Sequence, residues 1–172
     1  GWVAGPGLIV TNAHVVAGED DTTVTTESGV TYSATAVHYD PGNDIAVLKI
    51  DASLPALRVA DDPKRGAAGA VLGYPENGPF TLAPARLGDT SEVISEDSYG
   101  NGPIHRTISS LRGSVRSGNS GGPLVDGQGR VLGTVFATTT GGEPGGFAIP
   151  DDIVKQALEE ASAPVDTGPC AR

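Results

Sequence analysis

Short runs of β-branched and aliphatic residues, broken at close intervals by glycine and proline, set the pattern of this chain. Leu8-Ile9-Val10-Thr11 is one run, Thr22, Val24 and Thr26 alternate along the next, and Ile45, Val47 and Ile50 mark a third. Others fall at Val71-Leu72, around Ile104, Thr107 and Ile108, and from Val131 to Phe136. Short strand-like runs between turn residues predict an all-β chain. Pro123, followed by Asp126-Gly127-Gln128-Gly129, reads as a strand and a turn. One segment has the helical period. Ile153, Val154, Ala157, Leu158 and Ala161 share a face of a helix that Asp151 or Asp152 can cap. No duplicated motif or long helical repeat is visible.

At 172 residues the chain can bury a sizeable core as one unit, a size all-β double barrels commonly reach undivided. The 25 glycines and 13 prolines are spread along it, which indicates many turns rather than a disordered tail. A formal charge of −10 without basic stripes excludes nucleic acid as an expected partner and otherwise implies only solubility. No apolar run is long enough to span a bilayer and no signal peptide is present. The chain has no methionine and opens on Gly1-Trp2-Val3, so it reads as a piece of a longer protein.

The chemistry concentrates in three places. In Gly118-Asn119-Ser120-Gly121-Gly122-Pro123-Leu124 a serine has glycines on both sides, which allow a sharp turn and the close approach of a substrate carbonyl. The amides of Gly118 and Ser120 can converge on one developing oxyanion. A serine hydroxyl needs a base and an orienter for that base. Thr11-Asn12-Ala13-His14-Val15-Val16 offers His14 as general base, and Asn43-Asp44-Ile45-Ala46-Val47-Leu48 offers Asp44 as orienter. The order His14, Asp44, Ser120 argues against an α/β-hydrolase elbow, where the serine comes first and the histidine last. Such chemistry calls for no cofactor and no metal. His38 and His105 lack companions with ligand or base spacing and are expected in surface or strand roles. The glycine-rich segment at 138–146 lacks the Gly-Lys-Ser/Thr ending of a phosphate loop and is expected to be a flexible hairpin.

These three motifs resemble the signatures of bacterial trypsin-like serine proteases. Within that group the chain is most similar to HtrA-type enzymes and to the membrane-anchored, acid-resistance (MarP-type) proteases of actinobacteria. Leu72-Gly73-Tyr74-Pro75, Gly146-Phe147-Ala148-Ile149-Pro150 and the ending Thr167-Gly168-Pro169-Cys170 carry the likeness along the chain. It implies a chymotrypsin-like double six-stranded β-barrel with a C-terminal helix and an incomplete first strand. The expected division is a first barrel over 1–62, a second over 66–150, a closing helix over 151–162 and a tail over 163–172, with the site in the cleft between barrels. It further implies a peptide or protein substrate cut through an acyl-enzyme, a periplasmic or extracytoplasmic location, and upstream membrane helices in the full-length protein. A PDZ domain, usual in HtrA-type chains, is not found in this sequence.

By the same resemblance Ser114 forms the base of the S1 pocket, with Val135, Phe136 and Ala137 as one wall and Gly146 approaching as the other. The base carries no acid, which predicts a small or medium apolar P1 residue rather than arginine or lysine. Arg116 is expected in an exposed loop, with reach into the pocket as the alternative. Asn119 stands where digestive trypsins carry the aspartate that pairs with a freed N-terminus, so activation of that kind is not expected. A single cysteine reads as a free thiol, and the MarP-type resemblance implies the other reading, a disulfide from Cys170 to a cysteine just before Gly1. A general-base histidine must be neutral to act, so hydrolysis is expected to fall below pH about 6.5. The alternative is a catalytically latent or silent peptide-binding domain on the same fold.

Overall fold

The computed structural model describes residues 1–139 and 142–171. β1 (Trp2–Gly5) and β2 (Leu8–Thr11) form a hairpin, followed by a one-turn helix α1 (Ala13–Val16), β3 (Thr23–Thr25), β4 (Thr31–Asp40) and β5 (Ile45–Ile50). These five strands make one antiparallel sheet in the order β1-β2-β5-β4-β3. A second sheet contains β6 (Arg58–Val59), β7 (Ala68–Gly73), β8 (Thr81–Ser95), β9 (Ile104–Gly113), β10 (Pro123–Asp126), β11 (Arg130–Thr138) and β12 (Gly145–Pro150). Its order is β10-β7-β8-β9-β12-β11-β6, and β10 also pairs with β11. Six of its strands therefore close into a ring, with β6 added in parallel to β11.

The all-β architecture and the closing helix agree with expectation, while the first sheet differs in strand number. It holds five strands rather than six among the described residues, and its edges do not meet, since β1 pairs with β2 alone and β3 with β4 alone. The helix α2 (Asp151–Glu160) also starts differently. Pro150 is the N-cap residue, and no side chain caps the helix. Pro150 already has its φ fixed, so the aspartates fall inside the first turn, where carboxylates suit the positive end of the helix dipole.

One core cluster joins both sheets to α2. Trp2, Val10, Val37, Ile45 and Val47 from the first sheet pack with Val125, Val131 and Ile149 from the second and with Val154 and Ala157 of the helix. Trp2 Nε1 donates to Thr134 Oγ1 across 3.1 Å in this buried seam, a bond worth about 1 kcal/mol net. After α2 the tail returns to the first sheet. Ser162 and Val165 donate amides to Val37 and Ala36, and Gly18 donates to Thr167. The core cluster thus joins the two sheets through α2, and the tail adds backbone bonds to the first sheet and to the loop after α1.

Candidate active site

His14 projects from α1, directly after β2, and Asp44 sits in the turn between β4 and β5. Asp40 organises that turn. Its carboxylate accepts the amides of Gly42 and Asn43 at 2.9 and 3.1 Å and the Asn43 side-chain amide at 2.6 Å. Asp44 is buried at 4 % exposure and adopts φ +59, a left-handed conformation that few non-glycine residues take. Its Oδ1 accepts the His14 backbone amide at 2.9 Å, and its Oδ2 lies 2.8 Å from His14 Nδ1. A carboxylate only accepts, so Nδ1 donates to it and Nε2 is the ring nitrogen left for another partner. Asn12, fully buried, donates its side-chain amide to the Asp44 carbonyl at 3.0 Å.

Arg106 of β9 approaches the same turn from the second sheet. It is 6 % exposed and donates from a terminal guanidinium nitrogen to the Asn43 carbonyl at 2.9 Å. The guanidinium carbon lies 4.3 Å from the centroid of the Phe136 ring. Burial pulls the Arg106 pKa below its ordinary value, opposed by the charges of Asp44 and Asp40. His14, Asp44, Arg106 and Phe136 line one hollow of about 420 Å³, with residues 95–98 and Ala171 at its margin.

Ser120 lies in the loop between β9 and β10, and that loop is held mainly by backbone bonds. Gly121 donates to Val135 and Val135 donates to Gly122, each at 2.8 Å, so β11 braces the loop on both sides of Gly121. Asn119 Oδ1 accepts the Arg116 amide at 2.8 Å, so the buried Asn119 side chain shapes the turn directly. Gly118 has φ +88, and a Cβ there would meet the Tyr74 carbonyl at 2.9 Å and the Glu76 amide at 2.8 Å. Neither the Gly118 nor the Ser120 amide has an acceptor among the described backbone bonds. A Cβ on Gly121 would meet Thr11 Oγ1 at 2.5 Å, which places the Ser120 loop against the strand that leads into His14. Among the described side-chain bonds, none joins Ser120 to His14. Ser120 instead opens, with Gly118, onto a larger cleft of about 950 Å³ that Thr11, Leu72, Tyr74 and Phe80 help to line.

The residues expected at S1 divide. Ser114 is exposed, whereas Val115 is buried, and a Cβ on Gly146 would meet the Val115 side chain at 2.9 Å and the Ala137 carbonyl at 2.5 Å. Val135 is buried behind the Ser120 loop. The Phe136 ring faces Arg106 on the His14–Asp44 side. Arg116 is exposed. The 138–146 segment is described except at 140–141, which lie outside the described residues. His38 stands 3.6 Å from Glu160 and His105 2.8 Å from Glu92. Cys170 is an exposed free thiol, its Sγ 3.9 Å from the Gly18 carbonyl. Among the described residues no helix is long and apolar enough to cross a membrane.

Residues 1–133 match the trypsin-like peptidase domain family. The chain belongs to the trypsin-like peptidase family. It is 39% identical over 175 residues to the serine protease Rv3671c of Mycobacterium tuberculosis, a match covering 99% of this chain and 44% of the relative. The crystal structure of the active form of that protease superposes with a TM-score of 0.91, over 99% of this chain and 77% of the other. A probable periplasmic serine endoprotease, DegP-like, of Halomonas elongata is 34% identical over 160 residues, covering 90% of this chain and 32% of its own length. The HtrA-type protease AlgW, solved with a decapeptide, superposes with a TM-score of 0.78 at 29% identity, over 93% of this chain and 50% of the other. The chain spans less than half the length of these two curated relatives. Its likeness to HtrA-type and actinobacterial serine proteases agrees with the sequence motifs.

Proposed function

We propose that this domain is a serine endopeptidase with Ser120 as nucleophile, His14 as general base and Asp44 as the group that orients the base. The observation that carries this is the double contact of Asp44 with His14, at the backbone amide and at Nδ1, which fixes the imidazole with Nε2 available. In the proposed reaction Ser120 Oγ attacks a peptide carbonyl while Nε2 takes its proton, and that proton then passes to the leaving amine as the C–N bond breaks. Water attacks the acyl-enzyme with His14 again as base, releasing the acid and restoring Ser120. The Gly118 and Ser120 amides, without acceptors among the described backbone bonds, are the proposed oxyanion donors.

Val115 closing on Gly146 supports a small or medium apolar P1 residue, and Ser114 contributes no acid. A substrate-library profile dominated by P1 arginine would refute that preference. The AlgW–decapeptide complex supports peptides as the ligand class. The Halomonas relative supports a periplasmic or envelope setting.

Reaction with a fluorophosphonate probe, read by intact mass, tests the nucleophile. One adduct on the parent and none on Ser120→Ala is the expected result. No adduct on a folded parent would favour the second reading, a latent or silent peptide-binding domain. The unbonded Ser120 and His14 are the observation on its side.

A further inference from the structure

Arg106 is the charged group of the second sheet that reaches into the His14–Asp44 hollow, and no carboxylate bonds to it directly among the described ion pairs. Burying a guanidinium without a bonded counter-ion is costly. Its Nε has no partner, and its one described hydrogen bond goes to a backbone carbonyl. That carbonyl is Asn43, the residue before Asp44. Asn12 holds the carbonyl of Asp44 itself. The peptide groups on both sides of the Asp44 Cα are therefore pinned, one from each sheet, at a residue whose left-handed backbone has few ways to relax.

The second sheet's grip on this turn is connected to the Ser120 loop. Phe136, whose ring covers the Arg106 guanidinium, is the next residue after Val135, which exchanges backbone bonds with Gly121 and Gly122. One bulged stretch of β11 thus touches the Ser120 loop through Val135 and Arg106 through Phe136. Asp44 and Asp40 of the first sheet act on Arg106 as charges, and Glu96 and Asp97 from the β8–β9 connection line the hollow that Arg106 shares with His14.

We infer that Arg106 is a positioning residue that sets the Asp44 turn, and through it the His14 imidazole, relative to the sheet carrying Ser120. The inference rests on the serine-peptidase assignment above. Arg106 touches no reacting atom. It fixes Asn43–Asp44 by its hydrogen bond and offers a cation to the ionised Asp44 carboxylate.

The test uses the full chain and the variants Arg106→Met, Arg106→Lys and Arg106→Gln, with kcat and KM on a peptide substrate and the rate of fluorophosphonate labelling. Arg106→Met should lower kcat by about 100-fold with KM within about twofold, because small displacements of a catalytic group are costly at this scale. Labelling of Ser120 should slow in parallel. Arg106→Lys, which keeps the charge, should recover most of the loss and remain several-fold below the parent, while Arg106→Gln should recover less. In an Asp44→Asn background, Arg106→Met should have little further effect, since both changes act on the same group.

Parent-like kcat in Arg106→Met would overturn the inference, as would a full additional loss in the Asp44→Asn background. If Arg106→Met does not fold, Arg106→Lys decides: a lowered kcat at constant KM supports the role, and a parent-like kcat overturns it. Failure of the peptidase assignment looks different. In that case Ser120→Ala retains hydrolysis or labelling whatever the Arg106 variants do.

Discussion

The two halves of the site are built in opposite ways. On the first sheet His14 and Asp44 are bonded to each other twice, and the Asp44 turn is pinned by Asn12, Asp40 and Arg106. On the second sheet the Ser120 loop is braced by β11 and by Asn119, yet the Gly118 and Ser120 amides have no acceptor among the described backbone bonds and both residues line a cleft. On the proposed assignment the difference separates two tasks. Orientation of a base is needed before substrate arrives, so its bonds are made in the resting protein. Donors for a developing charge must stay free until that charge exists, so their bonds are left unmade.

The sharpest way to break this contrast is to disarm the finished half. Asp44→Asn keeps the shape but replaces the accepting carboxylate by an amide, and it should lower kcat by about 10⁴-fold through the wrong imidazole tautomer. Steady-state kinetics on a peptide substrate would show it, and a loss under tenfold would mean that orientation is not set by Asp44. The open half is addressed by Gly118→Ala. A Cβ there meets the Tyr74 carbonyl and the Glu76 amide, and φ +88 is unfavourable for alanine, so the loop must shift and its amides turn away. An expected fall of about 10²–10³-fold in kcat with little change in KM would mark loss of oxyanion donors. A rise in KM alone would instead assign Gly118 to ground-state binding.

The smallest effect is expected beside the His14–Asp44 hollow. The Asn101 amide bond, aided by the Tyr99 amide and the Asn101 side chain, holds the Asp97 carboxyl below its usual range. A lowered folded-state pKa contributes stability above the unfolded value of about 3.9, lost as pH falls through the lowered folded value. Asp97→Asn should therefore reduce the melting temperature slightly at pH 7, and the gap to the parent should close in acid. A gap that stays constant with pH would show that the bonds matter without the charge.

The catalytic candidates were legible because each lies in a local motif, with small residues on both sides of Ser120 and strand-like runs beside His14 and Asp44. The strands of regular apolar content were legible for the same reason, as in β5 and β11. β8, the longest strand, was not. Pro84 and Gly88 interrupt it, and apolar residues such as Leu82 and Ile94 point to solvent, at 65 % and 69 % exposure. β4 is written in threonine, serine and alanine over half its length, and α1 is too short to show any period. Arg106 left a faint trace. It shares the period-two phase of Ile104 and Ile108, an arginine where the alternation asks for an apolar side chain. Its target, a carbonyl 63 positions away, is fixed only by how the two sheets meet.

The unbonded Ser120 and His14 have a thermodynamic consequence. For a two-state site, the observed rate constant at low substrate is the intrinsic one multiplied by the fraction of molecules in the bonded arrangement. When that fraction is small, a ligand favouring the bonded arrangement a hundredfold raises turnover by nearly as much, equivalent to about 2.7 kcal/mol, without altering any catalytic group.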